Sequence, residues 1–253
     1  MSSTPSNQNA ITQAIILSAG KGTRMRPLTL DTPKPLIEVG GQPLIVWHIN
    51  ALKSAGITDI TINTSWLSDK LMDALGDGSE NGVSIRWSVE DDEPLETAGG
   101  IAKALADGKL DDAPFVVVNG DVWCDIDFSK VASRELDTGN LAHLYLVDNP
   151  EHHPNGDFAL QNGMATEDTV LEGQDKLTFA GISVLSPKLV ESVIAGQPAP
   201  LAPLLKKGMM KLKVSAEKFD GTWVDVGTPE RLEKINEFIN NGGATQHHGK
   251  ASS

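Results

Sequence analysis

Between residues 14 and 125, short apolar runs alternate with stretches whose apolar residues recur at helical spacing. Leu44, Trp47 and Ala51 fall on one face of such a stretch, which Pro43 opens and Gly56 closes. The pattern predicts strands at 14–17, 59–63, 84–89 and 115–119 and helices at 43–55, 68–75 and 99–106. This alternation is typical of an α/β fold with a mixed, mostly parallel sheet flanked by helices, and the fully apolar run at 115–119 predicts a central strand.

After Asp127 the apolar runs become shorter and less regular. They predict a helix at 128–136, strands at 142–147, 157–160 and 177–185, and a last helix at 229–240. We interpret this part as a small substrate-facing subregion of one domain at 14–240. Residues 163–176 are expected to form an irregular flap, and residues 1–13 and 241–253 are expected to be disordered.

The 253 residues carry a formal charge of −13, which argues against nucleic acid or an anionic membrane as a partner. No apolar run approaches the ~20 residues of a membrane span, and the polar start of the chain does not resemble a signal peptide. A cytoplasmic location is therefore expected. The single cysteine, Cys124, lies among acidic residues, which disfavour its thiolate and so a nucleophilic role.

The first predicted strand is followed by a loop that concentrates glycines and cations, Leu17-Ser18-Ala19-Gly20-Lys21-Gly22-Thr23-Arg24-Met25-Arg26, and then by Pro33-Lys34-Pro35. Glycines let the backbone N–H groups approach an anion, and the cationic side chains neutralise phosphate charge. The Walker pattern Gly-x-x-x-x-Gly-Lys-Ser/Thr does not occur, and the third glycine of a dinucleotide fingerprint is missing. The loop therefore predicts a triphosphate site of another type.

This loop and the Pro-Lys-Pro segment resemble the signature of the sugar-nucleotide pyrophosphorylases, and the resemblance extends over about residues 14–240. It implies a Rossmann-like, GT-A-like nucleotidyltransferase fold. It also implies transfer of a nucleoside monophosphate from a triphosphate to a sugar 1-phosphate. In this family pattern Arg24 stabilises the leaving pyrophosphate and Lys34 holds the sugar phosphate. The expected nucleotide-binding residues are Ser18, Ala19, Gly20, Lys21, Gly22, Thr23, Leu95, Thr97, Ala98 and Gly99.

Two aspartates lie next to predicted core elements. Asp121 follows the strand 115–119, and Asp225 precedes the last helix. Taken alone, either residue is equally well explained as a turn or cap residue. The family resemblance implies that both hold Mg²⁺ against the nucleotide phosphates, with Asp121 also catalytic. Two carboxylates suit Mg²⁺, which retains several waters and binds substrate phosphates.

The segment 93–100 resembles the family's base-reading segment, but Glu96 stands where many relatives have glycine. The resemblance implies that the sugar is bound by Asn119, Gly156, Asp157, Phe179 and Gly181. His152 and His153 lie beside these residues. They are interpreted either as an exposed loop pair, as a fortuitous metal site, or as donors to a substrate carboxylate.

Within this family, the motifs look most like those of enzymes that act on UTP and N-acetyl-α-muramate 1-phosphate, so the resemblance implies this substrate pair and a role in peptidoglycan recycling of the cell wall. Mannose 1-phosphate with GTP and glucose 1-phosphate with UTP or dTTP remain alternatives. A non-catalytic regulatory subunit that binds sugar nucleotides is a further alternative, although the presence of Arg24, Lys34, Asp121 and Asp225 disfavours it. The sequence leaves the oligomeric state open.

Overall fold

A computed structural model describes residues 11–91, 94–168 and 175–243. Its strands are β1 Gln13–Leu17, β2 Glu38–Val39, β3 Gln42–Pro43, β4 Asp59–Thr64, β5 Ser84–Val89, β6 Phe115–Asn119, β7 Val122–Cys124, β8 Ala142–Val147, β9 Ala159–Gln161, β10 Met164–Thr166, β11 Thr178–Leu185, β12 Val214–Lys218 and β13 Trp223–Asp225. Its α-helices are α1 Leu44–Ser54, α2 Ser68–Leu75, α3 Glu96–Ala106, α4 Phe128–Ala132, α5 Ala202–Met209 and α6 Pro229–Asn240.

Nine strands of the described chain form one twisted sheet in the order β5-β4-β1-β6-β11-β8-β12-β10-β9. The pairs β5-β4, β4-β1, β1-β6 and β8-β12 are parallel, whereas β11 runs antiparallel to both of its neighbours. Only β11 and β10 point against the other seven strands. The sheet is therefore mixed and mostly parallel, as the sequence predicts, and β6 lies inside it.

The core is divided between the two faces of this sheet because successive side chains of a strand point to opposite faces. Ile16 packs with Ile45 and Ile49 of α1 on one face. Ile15 packs with Ile101 of α3 and other apolar residues on the opposite face. Helices thus cover both faces, which leaves the carboxyl ends of the parallel strands as the edge where ligands bind in such sheets.

The predicted elements of the first half agree closely with the structure. The bounds of two predicted helices and one predicted strand were wrong. The helix predicted at 128–136 ends at Ala132, whose carbonyl accepts a hydrogen bond from the backbone N–H of Ile11 instead of continuing the helix. The helix predicted at 99–106 begins at Glu96. The strand predicted at 157–160 comprises Ala159–Gln161, and Phe158 makes an isolated bridge to Leu177.

Several elements have no counterpart among the sequence predictions, notably α5, β12 and the small antiparallel pair β7-β13. The expected flap at 163–176 contributes β10, and its residues 169–174 lie outside the described ranges, as does Glu93. Of the termini expected to be disordered, residues 1–10 and 244–253 lie outside the description, whereas Gln13 starts β1 and Gly243 is hydrogen-bonded to Phe238. None of the described helices has the length and apolar character that a bilayer crossing requires.

Candidate active site

The glycine loop after β1 is folded tightly onto the segment that carries Lys34. Gly22 has a φ of 59°, and a Cβ atom there would lie 2.9 Å from Thr29 Cγ2 and 3.2 Å from Lys34 Cβ. The Thr29 hydroxyl donates a 2.7 Å hydrogen bond to the Gly22 carbonyl. Gly20 differs, because a Cβ atom there would meet nothing within 4 Å. Gly22 is therefore needed for packing, whereas Gly20 leaves the backbone open to an approaching anion.

This loop forms one wall of a cavity of about 360 Å³ at the carboxyl ends of β1, β4 and β6. Its lining includes six of the ten residues expected to bind the nucleotide: Ser18, Ala19, Gly20, Gly22, Thr23 and Thr97. All three expected catalytic residues, Arg24, Lys34 and Asp121, also line it. The glycine loop and the predicted catalytic groups are thus brought together around one space that has room for a nucleotide.

The other four residues expected to bind the nucleotide do not line this cavity. The backbone N–H groups of Ala98 and Gly99 donate to the Ala199 carbonyl at 2.9 and 3.1 Å, and that of Leu95 donates to Glu90 Oε2 at 2.8 Å. These donors are used within the fold. Direct nucleotide contacts by them, and by Lys21, remain predictions.

The base-reading segment contains an unusual backbone at Glu96. This residue has a φ of 57° and lines the cavity. The left-handed region costs a residue with a Cβ atom about 1–2 kcal/mol, which explains why glycine suits this position in relatives. The departure noted in the sequence is therefore also a point of backbone strain beside this cavity.

Lys34 and Asp121 form an ion pair on the cavity wall, with 2.8 Å between Lys34 Nζ and Asp121 Oδ2. Lys34 is buried, whereas the Asp121 side chain is 42% exposed. The adjacent Gly120 packs closely on the end of β1, because a Cβ atom there would lie 2.7 Å from the Leu17 carbonyl oxygen. The lysine is held by its partner, and the carboxylate keeps a face open to the cavity.

Asp225 reaches the same site through the pair β7-β13, in which it stands opposite Val122. The Val226 N–H also donates to the Asp121 carbonyl at 2.9 Å. Arg231 Nη1 donates to Asp225 Oδ2 at 2.8 Å, whereas Asp225 Oδ1 is buried without a hydrogen-bond partner. Asp121, in the turn that precedes β7, and Asp225, at the end of the paired strand β13, are therefore brought to neighbouring positions.

A second cavity of about 370 Å³ adjoins the first and shares Arg24, Asn119 and Asp121 with it. Its remaining lining comes mainly from the second half of the chain: Val122, His152, His153, Thr178, Phe179, Gly181, Trp223 and Asp225. Three residues expected to bind the sugar, Asn119, Phe179 and Gly181, lie here. The two cavities meet at an arginine, an amide and a carboxylate.

The other two expected sugar residues, Asp157 and Gly156, do not line this second cavity and support its wall instead. Asp157 Oδ2 accepts a 2.8 Å hydrogen bond from the Phe179 N–H, and His153 Nε2 lies 3.0 Å from Asp157 Oδ1. Gly156 has a φ of 60°, and a Cβ atom there would lie 2.7 Å from Asn149 Oδ1. Sugar contacts by Asp157 and Gly156 remain predictions.

Arg231 is a member of the site that the sequence reasoning missed. Its Nη1 atom lies 2.6 Å from His152 Nε2 as well as 2.8 Å from Asp225 Oδ2. Burial and the neighbouring Arg231 cation lower the pKa of His152, so the neutral ring accepts the arginine's hydrogen bond. In the sequence, Arg231 lies in the first turn of a predicted helix, which indicates only an exposed side chain. Its contact with Asp225 depends on the pairing of β13 with β7, which the sequence did not predict.

Beneath Asp121, His48 is buried and its Nε2 lies 2.8 Å from the Val122 carbonyl oxygen. Burial lowers its pKa to about 4, so the ring is neutral at pH 7 and donates to that carbonyl. Burial also raises the pKa of the Cys124 thiol to about 12, which removes any nucleophilic role, as the sequence indicated.

The described residues hold no group of three or more His, Cys, Asp or Glu side chains placed to bind a metal. Asp121 and Asp225 nevertheless fit an ion that takes its other ligands from water and substrate. Both line the second cavity, and the buried Asp225 Oδ1 lacks a partner that a cation would supply.

Comparison with known proteins agrees with this geometry. A sequence profile of nucleotidyl transferases matches residues 13–242. The chain belongs to the nucleotidyl transferase family. This nucleotidyl transferase is 49% identical over 224 residues to the N-acetylmuramate alpha-1-phosphate uridylyltransferase of Neisseria meningitidis, which covers 88% of the chain and 96% of that protein.

More distant relatives share the same fold. The nucleotidyl transferase is 32% identical over 232 residues to a mannose-1-phosphate guanyltransferase of Schizosaccharomyces pombe, a match that covers 86% of the chain but only 61% of the longer relative. It superposes with a TM-score of 0.79 and 22% identity on a proposed glucose-1-phosphate thymidylyltransferase from Bacillus anthracis, over 92% of this chain and 96% of the other. The GT-A-like fold expected from the sequence is confirmed.

Proposed function

We propose that this chain transfers uridine monophosphate from UTP to N-acetyl-α-muramate 1-phosphate, which yields UDP-N-acetylmuramate and pyrophosphate. The observation that carries the proposal is the pair of adjoining cavities with Arg24, Asn119 and Asp121 in their common wall. A reaction between two phosphates needs both substrates to meet at such a junction. The match to a uridylyltransferase over 96% of its length supports this choice of substrates.

The reaction joins two anions, because an oxygen of the sugar phosphate attacks the α-phosphorus of UTP while pyrophosphate leaves. Like charges ~4 Å apart repel by about 4 kcal/mol at an effective dielectric constant of 20. Positioned cations reduce this cost. We assign Arg24 to the leaving pyrophosphate and Lys34 to the incoming phosphate.

The Lys34 ammonium is already oriented before substrate binds. One of its three protons serves the 2.8 Å bond to Asp121, which leaves two for phosphate oxygens. Its low exposure limits the solvent rearrangement that binding requires. Asp121 therefore acts as the anchor of the catalytic lysine in addition to its predicted role toward a metal.

Mg²⁺ is the cofactor that we propose for Asp121 and Asp225. When bound, it would neutralise phosphate charge and stabilise the charge that develops on the departing pyrophosphate. Arg231 holds Asp225 at 2.8 Å, so it orients this carboxylate toward the space shared with Asp121.

For the sugar, the carboxylate of the lactyl ether distinguishes muramate from the other candidate sugars. His152 and His153 line the second cavity, and Arg231 supports His152. We propose that these groups face the lactyl carboxylate. In this interpretation the protein serves peptidoglycan recycling in the cytoplasm, where its single buried cysteine stays reduced.

Mannose 1-phosphate with GTP is the second candidate, because guanyltransferases are 32% identical to most of this chain. The test is a pyrophosphate-release assay with N-acetylmuramate, N-acetylglucosamine, glucose and mannose 1-phosphates at equal concentrations, each with UTP, dTTP and GTP. We expect the highest kcat/KM for UTP with N-acetylmuramate 1-phosphate. A preference for GTP with mannose 1-phosphate would overturn the substrate assignment, and release from no pair would favour the regulatory alternative.

A further inference from the structure

Two buried polar side chains, Asn63 and Glu90, lie at the carboxyl ends of β4 and β5, next to the end of β1. Asn63 is 3% exposed and Glu90 4%. In the sheet register, Leu17 of β1 stands opposite Asn63 of β4. Glu90 directly follows β5, and the Glu90 N–H donates to the Thr64 carbonyl at 2.7 Å. Neither residue was singled out from the sequence. Burial of such groups is costly unless every polar atom is matched.

These side chains form a continuous hydrogen-bond chain between two segments. The Ser18 N–H donates to Asn63 Oδ1 at 2.7 Å, and Asn63 Nδ2 donates to Glu90 Oε1 at 2.7 Å. Glu90 Oε2 accepts from the Leu95 N–H at 2.8 Å. Ser18 belongs to the glycine loop, and Leu95 precedes α3 in the base-reading segment. The chain therefore joins the glycine loop to the base-reading segment, whose Pro94, Glu96 and Thr97 line the 360 Å³ cavity together with Ser18 and Asn63 itself.

Helix α3 is shaped to pack on this pair. A Cβ atom at Gly100 would lie 2.6 Å from Glu90 Oε1 and 2.8 Å from Asn63 Nδ2. Gly100 lies inside α3 without a positive φ, so its small size is explained by the room that the pair needs. The sequence Gly99-Gly100, which costs helix stability, is thus accounted for by packing.

We infer that Asn63 and Glu90 are positioning residues that set the separation of the two cavity walls and thereby the affinity for the nucleotide. This inference rests on the proposed function only in taking the 360 Å³ cavity as the nucleotide site. The pair does not reach the second cavity, whose lining includes neither residue. It should therefore act on nucleotide binding, and not on the sugar phosphate or on the chemical step.

The direction of the hydrogen bonds makes the inference testable. Both ends of the chain are backbone donors, so the two side chains between them must supply three acceptors and one donor. Asn63 with Glu90 meets this requirement. Glu90→Gln leaves one donor facing another donor, and Asn63→Asp leaves two acceptors facing each other. The double variant Asn63→Asp/Glu90→Gln meets the requirement again with the middle bond reversed.

We expect Glu90→Gln and Asn63→Asp each to raise KM for UTP about 10-fold, the effect of one unmatched buried group of about 1.4 kcal/mol. The KM for the sugar phosphate and kcat should stay within about twofold. The double variant should restore KM for UTP to within about threefold of the wild-type value.

Gln13→Glu is the matched control. Gln13 is a buried amide at the opposite end of β1, with hydrogen bonds to Asp111 and Ala113 carbonyls. Its replacement should lower the midpoint of urea unfolding while KM for UTP is unchanged. UTP binding to each variant, measured by calorimetry without sugar phosphate, provides a readout that does not depend on turnover.

An unchanged affinity for UTP in Glu90→Gln would overturn the inference. The inference would also be overturned if the double variant bound UTP as weakly as the single variants. The same holds if Gln13→Glu lost as much UTP affinity as they do. Failure of the proposed function is distinguishable, because the wild type would then bind UTP without releasing pyrophosphate, or would bind another triphosphate. If the wild type binds another triphosphate, the affinities of the same variants are compared for that triphosphate.

Discussion

The two halves of the sheet build their cavities in different ways. We call them the nucleotide half and the sugar half, after the substrates proposed for their cavities. The nucleotide half consists of β5, β4, β1 and β6, which are parallel neighbours joined through helices. Its cavity is lined largely by a glycine loop and small side chains. The sugar half, from β11 to β9, mixes parallel and antiparallel strands, and its cavity has two histidines and two aromatic side chains.

This contrast indicates a division of labour. A backbone wall suits the phosphates and ribose that all nucleoside triphosphates share, because N–H groups bind anions without regard to the rest of the ligand. A wall of diverse side chains suits discrimination between sugars. The charged groups proposed for the reaction lie at this boundary or beside it, so changes there should reduce turnover most, whereas changes in either half should affect mainly one substrate.

The largest effects are expected at Asp121, in the boundary, and at Asp225, beside it. Asp121→Asn and Asp225→Asn keep the side-chain shape and remove the charge. We expect each to reduce kcat by about 100- to 1000-fold, the scale of one lost preorganised electrostatic group. The measurement is pyrophosphate release across a range of Mg²⁺ concentrations. Near-normal turnover of both variants at limiting Mg²⁺ would refute the metal assignment.

The two cations should separate kinetically. Arg24→Ala should mainly lower kcat, because the charge that it stabilises develops on the leaving pyrophosphate. Lys34→Ala should also raise KM for the sugar phosphate by about 10- to 100-fold, since it removes a charged hydrogen bond. Initial rates with each substrate varied in turn provide the comparison. An unchanged dependence on sugar phosphate in Lys34→Ala would contradict the role of Lys34.

A smaller and more selective effect is expected within the sugar half. Gly181 has a φ of 74°, and a Cβ atom there would lie 2.6 Å from Asn119 Nδ2. Gly181→Ala should therefore displace Asn119 and raise KM for the sugar phosphate about 10-fold, with a smaller rise in KM for UTP because Asn119 lines both cavities. Gly163→Ala is the control, because Gly163 has a φ of 77° but open space around it. Equal effects of both variants would point to backbone strain alone.

The last prediction concerns stability rather than turnover, and it tests the support beneath Asp121. The pKa of His48 is about 4 when folded and 6.5 when unfolded, so the unfolded chain binds more protons between these values. The free energy of unfolding should fall as pH drops from 6.5 to 4, with His48 contributing roughly 3 kcal/mol. His48→Gln keeps a donor for the Val122 carbonyl. Urea unfolding at several pH values should show a shallower decline in this variant, and identical declines would refute the assignment.

The sequence predicted the nucleotide half well because its elements follow one another along both the chain and the sheet. The apolar pattern predicts β1, β4 and β5 directly, and these strands are also neighbours in the sheet. The glycines and cations of the loop after β1 indicate phosphate binding without knowledge of the fold. In the sugar half, β12 lies parallel to β8, and β13 pairs with β7 from a distant part of the chain. Such pairings depend on long-range packing, which leaves little local pattern.

The same distinction applies to individual site residues. Lys34 and Asp121 were singled out from the sequence because each stands in a local motif. Arg231, Asn63 and Glu90 were missed because their roles depend on partners in other elements: Asp225 and His152 for the arginine, Ser18 and Leu95 for the buried pair. No local pattern in the sequence marks Asn63 and Glu90 as buried, so their pairing becomes evident only in the structure.

The most direct test of two cavities meeting at a charged boundary is a crystal structure with UDP-N-acetylmuramate bound. We predict uridine against Ser18 and Thr97 in the 360 Å³ cavity and the sugar against Phe179 and Gly181 in the 370 Å³ cavity. The diphosphate should then lie beside Arg24 and Asp121. A sugar nucleotide held within one cavity, or with its diphosphate away from this boundary, would contradict the account.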